Sequence, residues 1–517
     1  MALASTQTAT VEGVVAHPVT VEANVGPGLP GVHMVGLGDA AVKESRERIR
    51  TAVANASLPW PRTKIMVSLS PAHLPKAGSH FDLPVALAVL GSMDPRTQRT
   101  IGRTLFLGEL ALDGTLRRVE AILPMLLQAR SRTDIDTIVV PTANADEAAL
   151  IADPRTFTAD SLTHVWSWLL DATPLRPVAP VAPGTPGTSA RSGSGAAALD
   201  FADIAGQVLE RRAMEVAAAG GHHLMMVGPP GSGKSMLAER LPSIMPPLTD
   251  AERIECTALH QAAGIAKGAL VHERPFIAPH PSLTKAALLG GGAHIPLPGA
   301  VSQAHRGVLF LDEASEIPAR VLDALRIPLE QREVQLQRGR RTVRYPAAFQ
   351  LILAANPCPC GGEATRCRCT PGERARHLAN ISGPLRDRLD LYVRTTAQSA
   401  VLSPEDAEPS AVIADRVAAA RERAASRWAQ AGVGGEEAAT NGAVASTLIR
   451  RHYPADETGM IFLSNKLGHG ELTQRGVDKV LKLAWTLADL EAADTPDIDH
   501  VARAAEMHAP APEEEAA

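Results

Sequence analysis

The chain has 517 residues, of which 45% are hydrophobic and 21% charged, and its formal net charge is −5. This length predicts roughly two to four domains with proper hydrophobic cores. Only 3% of the residues are aromatic, which argues against broad aromatic platforms that stack single-stranded nucleic acid. No secretory signal or membrane-spanning stretch is evident, and the acidic balance means that nucleic-acid binding would need a local basic patch. We therefore expect a cytoplasmic globular protein.

A linker divides the chain. Residues 173–199 are rich in proline, then in glycine and serine, a composition typical of a semi-rigid stretch followed by a flexible one. We predict an N-terminal domain over 1–172, a nucleotide-binding core over 200–398, a helical domain over 399–508 and an acidic tail over 509–517. In the helical domain, apolar residues recur at helical spacing over 411–430, 443–451 and 474–490.

A complete phosphate-binding loop follows the apolar run 224–227 and precedes a predicted helix over 236–241. The loop consists of Gly228, Pro229, Pro230, Gly231, Ser232, Gly233, Lys234 and Ser235. Glycines in such a loop let backbone N–H groups point at phosphates, with a helix N-terminus behind them. Lys234 would reach the β- and γ-phosphates and Ser235 would ligate Mg²⁺. The pattern predicts an ATP·Mg²⁺ site, against the alternative of a glycine-rich turn without function.

Two further strand ends carry polar side chains that suit this site. The apolar run 308–311 ends at Asp312 and Glu313, a Walker B pattern. Asp312 would hold Mg²⁺ through water and Glu313 would polarise the attacking water. A second apolar run, 349–355, ends at Asn356, whose amide would orient the water or the γ-phosphate if the two strands lie side by side in a parallel sheet. An asparagine at this place is otherwise a common turn residue.

A basic hairpin is predicted between these two strands. Residues 333–345 alternate apolar and polar side chains on either side of Arg338, Gly339, Arg340 and Arg341. Arginines at such a tip contact phosphates without reading sequence, which predicts salt-dependent DNA binding. The alternative is an ordinary hairpin with solvated arginines.

Four cysteines cluster after Asn356, namely Cys358, Cys360, Cys367 and Cys369. A reducing compartment argues against disulfides. Four thiolates can form a closed tetrahedral zinc site, although the usual zinc pairs are spaced two residues apart. A metal-free reduced loop and a redox-active cluster remain open as alternatives.

Several stretches resemble the AAA+ ATPases and, within them, the magnesium-chelatase-like YifB/ComM family. The likeness covers nearly the whole chain and lies in residues 31–42, 71–84, 108–114, 275–282, 290–292, 298–300, 305–313, 354–361, 381–390 and 472–475.

The resemblance implies an α/β fold class: a Lon-protease-like α+β N-terminal domain, an AAA+ P-loop domain with a parallel sheet, and a C-terminal helical lid. It also implies a homo-oligomeric ring, with a hexamer as the expected assembly. Asn356 takes the place of sensor 1, Arg388 that of the arginine finger and Arg475 that of sensor 2, while residues 275–299 correspond to a pore-facing insert. Thr473 and Gln474 stand where the family typically has serine and alanine.

The N-terminal domain resembles Lon proteases but departs from their Ser/Lys dyad. His80 takes the place of the nucleophile, Ser79 lies one residue away, and residues 119–129 contain no lysine. A serine without a base is a weak nucleophile. We therefore expect a non-proteolytic domain.

The family resemblance implies an ATP-driven motor that branch-migrates or unwinds DNA during recombination in natural transformation. DNA, single-stranded or branched, is the expected partner. The alternative is a magnesium-chelatase-like ATPase that drives metal insertion or remodels a protein partner. An ATP-driven protease is the third and weakest interpretation.

Overall fold

The structure is a computed structural model that describes residues 2–36, 40–74, 76, 78–179, 199–204, 206–265, 270–292, 296–338, 341–361, 367–396, 408–433 and 440–509. Most of the predicted linker and nearly all of the acidic tail therefore lie outside the described residues. Across the ranges above, no helix combines the length and apolar character needed to cross a lipid bilayer.

The chain folds into two compact units. The first comprises Met1–Arg191 together with Arg253–Leu270, and the second comprises Ser192–Glu252 together with Val271–Ala517. Residues 253–270 fall within the nucleotide-binding core predicted from the sequence, whereas their contacts group them with the first unit. Ile254 explains the grouping, because it is buried in an N-terminal core that also contains Ile122 and Leu126.

The first unit is a mixed sheet with helices on both faces. Over the described residues its strand order is β10-β9-β8-β5-β1-β2-β4-β3. Its strands are β1 Ala2–Glu12, β2 Val15–Gly26, β3 Gly31–Val35, β4 Lys64–Ser70, β5 Thr104–Phe106, β6 Glu109–Leu110, β7 Leu116–Arg117, β8 Thr137–Pro141, β9 Thr156–Ala159 and β10 Arg176–Pro177, of which β6 and β7 form a separate hairpin. Its helices are α1 Ala40–Asn55, α2 Asp82–Met93, α3 Gln98–Gly102, α4 Ile122–Arg130, α5 Ala145–Ile151 and α6 Leu162–Leu169.

Alternation along the strands creates two cores, one on each face of this sheet. Phe106 and Val139 pack with the buried helix α2, whereas their neighbours Leu105 and Ile138 pack with α4. Successive side chains of a strand point to opposite faces, so a short apolar strand contributes to both cores. The mixed sheet between helices gives the N-terminal half its predicted α+β character.

The polar residues at the start of α2 bond within the N-terminal unit. Ser79 Oγ donates a hydrogen bond to Glu109 Oε2, and His80 is 6% exposed with Nε2 2.8 Å from the carbonyl of Ala9. Lys76 is buried and donates to the carbonyl of Leu74 at 2.8 Å. The hydroxyl of Ser79 is thus bonded to a carboxylate, and whether the domain is non-proteolytic stays a prediction.

The second unit contains a parallel sheet flanked by helices. Over the described residues its strand order is β12-β15-β18-β11-β19, with every neighbouring pair parallel. The strands of the second unit are β11 Leu224–Val227, β12 Phe276–Ile277, β13 Gly290–Gly291, β14 Leu297–Pro298, β15 Val308–Leu311, β16 Glu333–Arg338, β17 Arg341–Pro346, β18 Gln350–Ala355 and β19 Leu391–Arg394. Of these, β13 pairs with β14 and β16 with β17 in two separate two-stranded sheets. Helix α9, Asp250–Ala262, crosses the boundary at residue 252, so most of it belongs to the first unit. The helices of the second unit are α7 Val208–Gly220, α8 Lys234–Ile244, α10 Lys285–Leu289, α11 Ala300–Gln303, α12 Ala319–Leu322, α13 Arg326–Gln331, α14 Pro371–Ala379, α15 Gly383–Arg386, α16 Ser410–Gln430, α17 Ser446–His452, α18 Glu457–Gly468, α19 Gln474–Leu490 and α20 Ile498–His508.

Near-continuous apolar runs form the central strands because both faces of the sheet are covered. All residues of β15 and β18 are buried. The predicted fold class is confirmed: a mixed α/β N-terminal unit, a parallel α/β core and C-terminal helices. Two of the predicted helices have almost the predicted bounds, since α16 starts at Ser410 and α19 spans Gln474–Leu490.

The predicted basic hairpin is present as β16 and β17, which pair antiparallel from Glu333↔Pro346 to Arg338↔Arg341. Val334, Val343 and Tyr345 form its buried face, and the Tyr345 hydroxyl donates a 2.6 Å hydrogen bond to the carbonyl of Pro296. The turn residues 339 and 340 lie outside the described residues.

A buried polar network joins the sheet to the C-terminal helices. His222 Nε2 lies 2.8 Å from Thr486 Oγ1 of α19, and His222 Nδ1 lies 3.4 Å from Asp390 Oδ2 just before β19. Lys479 Nζ of α19 lies 3.6 Å from the other oxygen of Asp390. Although burial alone would raise it, the hydrogen bond from His222 and the charge of Lys479 hold the pKa of Asp390 well below its usual range. The network fixes the helical domain against the edge of the sheet.

His223 makes the stability of the second unit sensitive to acid. Its Nδ1 accepts a hydrogen bond of 3.1 Å from the backbone N–H of Leu351, and burial lowers its pKa from 6.5 to about 4. Between these two values the unfolded chain binds a proton that the folded chain does not, so the free energy of unfolding falls as the pH drops from 6.5 to about 4. His223 as a whole residue is only partly buried, so we expect a loss of about 1–2 kcal/mol rather than the ~3 kcal/mol of a fully buried group.

Urea unfolding of the full chain at about pH 6.5 and pH 4.5, followed by hydrogen exchange of peptides from β18, measures this loss. His223→Asn keeps an acceptor for Leu351 but removes the titrating ring. The variant is expected to lose about 1–2 kcal/mol less than the wild type on acidification. An equal loss in both chains would show that His223 is not the responsible group.

Candidate nucleotide site

The carboxyl ends of three adjacent strands meet at one edge of the parallel sheet. Val227 pairs with Ala355, and Leu311 pairs with Leu353 on the other side of β18. The residues that follow these ends therefore lie close together, which is the usual position of ligand sites in parallel sheets. The P-loop, the Walker B carboxylates and Asn356 all follow these three strands.

Lys234 begins α8 and turns back under the P-loop. Its Nζ donates to the carbonyls of Gly228 at 2.7 Å and Pro229 at 2.9 Å, and to Asn356 Oδ1 at 3.3 Å. The residue is 8% exposed, and burial lowers its pKa while nearby Asp312 opposes this effect. The ammonium group of Lys234 thus joins the P-loop to Asn356.

Ser235 and Asp312 form the second pairing at this edge. Ser235 Oγ donates to Asp312 Oδ2 at 2.8 Å, and the other carboxylate oxygen accepts the backbone N–H of Glu313 at 2.9 Å. Glu313 itself is exposed and has a φ of 48°. A left-handed non-glycine residue is uncommon and frequently occurs at functional sites.

The base of the P-loop contacts a residue that the sequence analysis did not single out. A Cβ atom at Gly228 would lie 2.0 Å from Thr395 Oγ1, so only glycine fits here. The Thr395 hydroxyl also shares a 2.6 Å hydrogen bond with that of Ser232. Thr395 follows directly after β19. This position, just beyond the end of a strand, is the feature of the sequence that could have identified it as a site residue.

Gln207 is a second residue that sequence reasoning missed. Its Nε2 donates to the carbonyl of Ser232 at 2.7 Å, and its backbone precedes α7 in a left-handed conformation with φ of 51°. It supports the P-loop from outside the sheet. Gln207 stands directly after a glycine and before a helix, and this pattern is too common to identify it as a site residue from the sequence.

The donor set at this edge fits ATP and Mg²⁺. A buried ammonium suits phosphate oxygens, and a hydroxyl beside a carboxylate is the oxygen pair that Mg²⁺ accepts in P-loop proteins. Bound Mg²⁺ would neutralise charge that builds up on the transferring phosphoryl group. The side chains that would hold ATP and Mg²⁺ are those of Lys234, Ser235 and Asp312.

The two predicted arginines contact residues outside the P-loop. Arg388 forms an ion pair with Glu330 and donates to the carbonyl of Pro384 at 3.0 Å. Arg475, at the start of α19, lies 3.4 Å from Asp387 and its side chain is 70% exposed. Within the described residues, each arginine contacts a carboxylate of its own chain, and neither contact involves the P-loop.

The four cysteines converge as predicted for a metal site. Cys358 Sγ lies 3.3 Å from the sulfur of Cys360 and 3.4 Å from that of Cys367, and all four sulfurs lie within 4.8 Å of one another. Tetrahedral Zn²⁺ with Zn–S bonds of about 2.3 Å requires sulfur separations of about 3.8 Å. Burial and the neighbouring thiols raise the pKa of Cys358 to about 12, so binding a metal here would release protons.

Comparisons with known proteins agree with this geometry. The families described as magnesium chelatase subunit ChlI, subunit ChlI of Mg-chelatase and the ChlI C-terminal region match residues 200–402, 21–144 and 407–508. An uncharacterized protein of Mycobacterium tuberculosis is 44% identical over 98% of both chains. The uncharacterized protein YifB of Escherichia coli and the competence protein ComM of Haemophilus influenzae are each 37% identical, over 98% of this chain and 97% of their own. The chain therefore belongs to the YifB/ComM family of magnesium-chelatase-like AAA+ ATPases.

Proposed function

We propose that this chain is a ring-forming motor that hydrolyses ATP to move along DNA, with branch migration or unwinding of recombining strands in natural transformation as its task. The observation that carries the proposal is the hairpin of β16 and β17, which carries basic residues at its tip and connects two strands of the nucleotide site. The similarity to a relative named as a competence protein also supports a role in natural transformation.

The hydrolysis step follows from the site residues. Lys234 would bind the β- and γ-phosphates, Ser235 and Asp312 would hold Mg²⁺, Glu313 would polarise the attacking water and Asn356 would orient it. The contact between Lys234 and Asn356, at 3.3 Å, supports this division of roles, since both side chains then face the same phosphate. Exposure of Glu313 leaves its carboxylate accessible to water.

The hairpin is the proposed DNA contact. Its buried face packs on the insert of residues 275–299, where a Cβ at Gly290 would lie 3.0 Å from Leu336 Cδ1, so its polar face remains toward solvent. Arg338 is exposed at the end of β16, and Arg340 and Arg341 follow in the sequence. Contacts of arginines to phosphates give binding that is independent of sequence and sensitive to salt.

Branched DNA is expected to stimulate ATP hydrolysis by the wild-type chain and to be unwound or branch-migrated. Replacing Arg338, Arg340 and Arg341 by Ala should leave basal hydrolysis unchanged and abolish most of the stimulation, because the phosphate contacts are lost. Hydrolysis with and without a four-way junction, at two salt concentrations, measures both effects.

Two variants serve as controls for this experiment. Glu313→Gln should abolish hydrolysis with and without DNA. Arg344→Ala tests whether the position of the arginine in the hairpin matters, because Arg344 lies in the same hairpin but pairs with Glu333 at 3.7 Å. Stimulation that survives in the triple variant would disprove the hairpin contact. A wild-type chain that ignores DNA altogether would disprove the DNA motor.

Ring assembly gives Arg388 its proposed role as an arginine finger for the neighbouring subunit, with Arg475 contacting the γ-phosphate from the helical lid. A guanidinium spreads positive charge where negative charge accumulates in phosphoryl transfer. The ion pair of Arg388 with Glu330 and its carbonyl contact with Pro384 support the proposal, because they hold the guanidinium in a defined orientation. We propose a hexamer as the assembly.

Mixing inactive subunits tests the shared site. Lys234→Ala chains should lack nucleotide binding and Arg388→Ala chains should lack the finger, so neither hydrolyses ATP alone. An equal mixture should recover up to about a quarter of wild-type hydrolysis, since one site in four combines an intact P-loop with an intact neighbouring finger. A chain carrying both substitutions should restore nothing, and a mixture without activity would contradict a finger in trans.

Zinc is the proposed occupant of the four-cysteine cluster, because the sulfurs already lie near the separations of a tetrahedral thiolate site. A closed set of four protein ligands leaves no open position for a reacting group. The proposed role is therefore structural.

A second candidate function is an ATPase that drives metal insertion or remodels a protein partner. The observation in its favour is that families described by the magnesium chelatase subunit match all three parts of the chain. In that case hydrolysis would respond to a protein partner and remain unchanged by branched DNA.

A further inference from the structure

The four-cysteine cluster lies at a junction of the segments that form the nucleotide site. Its first connection is along the chain, because Cys358 follows Asn356 by way of a single proline. The strand before it is fixed to the P-loop, since the backbone N–H of Gly228 donates to the carbonyl of Ala355 at 3.2 Å. A displacement of Cys358 is therefore passed directly to Asn356 and its contact with Lys234.

The second connection is a close packing contact with the P-loop. The backbone N–H of Gly361 donates to the carbonyl of Cys358 at 3.0 Å, which closes a tight turn within the cluster. Gly361 has a φ of +66°, and a Cβ atom there would lie 2.8 Å from Pro230 Cγ and 3.0 Å from its Cδ. The turn that carries two of the cysteines thus rests on the P-loop itself, and only glycine allows this approach.

The third connection runs through α14. Thr370, which follows Cys369, is the N-cap of this helix. At the other end of this helix, Asn380 Nδ2 donates to the carbonyl of Ser315 at 2.6 Å. His377 Nδ1 also lies 3.4 Å from Glu316 Oε1. Ser315 and Glu316 belong to the turn that follows Glu313, so this helix reaches the Walker B segment.

We infer that a metal ion in the four-cysteine cluster positions the nucleotide site, so that its release weakens nucleotide binding and slows ATP hydrolysis. The inference rests on the proposed zinc site and the proposed hydrolysis. Four metal–sulfur bonds would tie the turn 358–361 to residues 367–369, and metal binding to such a loop supplies free energy of folding. Without the metal, the chain entropy of this loop is regained and all three connections loosen together.

The test begins with metal content and its reversible removal. The purified full chain should contain one zinc per chain, and Co²⁺ exchanged into it should show the visible absorption of a tetrahedral thiolate site. After a chelator has been applied and removed and Mg²⁺ restored, fluorescent ADP analogue should bind about ten-fold more weakly or worse and hydrolysis should fall similarly, with both recovering on reloading with Zn²⁺. Faster hydrogen exchange is expected in the P-loop and in residues 314–316.

Gly361→Ala separates the contact from the metal itself. The variant keeps all four cysteines and should keep its zinc, while the added Cβ displaces Pro230 and lowers nucleotide affinity and hydrolysis by about ten-fold or more. Gly372→Ala is the matched control, because Gly372 lies in the first turn of α14 and, apart from its chain neighbours and the backbone of its own helix, no atom lies within 4 Å of the added Cβ. This control should retain zinc, affinity and hydrolysis.

The outcomes distinguish the inference from the proposals beneath it. A purified chain that contains no zinc, yet binds nucleotide and hydrolyses ATP with Mg²⁺, would overturn both the zinc site and the coupling. A chain that releases zinc with unchanged nucleotide affinity and hydrogen exchange would overturn the coupling and leave the zinc site intact. If the zinc-loaded chain hydrolyses no ATP, the hydrolysis proposal fails, and nucleotide affinity still decides the coupling.

Discussion

The arrangement of the second unit depends on one buried ammonium group. Lys234 Nζ reaches two carbonyls of the P-loop and the amide oxygen of Asn356, which is possible only if the strands before them are neighbours in a parallel sheet. Burying a cation is costly unless its protons are satisfied. The strand order, the tight P-loop and the position of Asn356 together meet that requirement.

Much of this site could be predicted because its signals are local. The P-loop, the carboxylates after β15 and the alternation in β16 and β17 are each set by neighbours within a few residues, where backbone geometry limits the choices. The parallel sheet then follows from apolar runs that are buried on both faces. Convergence of the cysteines was predictable for the same reason, since short spacings keep the four sulfurs close.

Other contacts could not be predicted because they join residues that are distant in the sequence. The fit of Gly228 against Thr395, the support of Ser232 by Gln207 and the grouping of residues 253–270 with the first unit depend on tertiary packing. The polar network around Asp390 is similar, because a histidine, a threonine and a lysine from separate elements have no shared pattern. Such networks are stable only when each member is paired, and they then fix one arrangement of the elements around them.

The hairpin of β16 and β17 has a mechanical consequence. Tyr345 anchors it to the insert through Pro296, and β18 begins a short distance after β17 ends, at Gln350. A force on the hairpin tip would therefore be carried by β18, the strand that Asn356 follows. The hairpin and the nucleotide site thus share one strand, so a displacement of the hairpin would also displace Asn356 and its contact with Lys234.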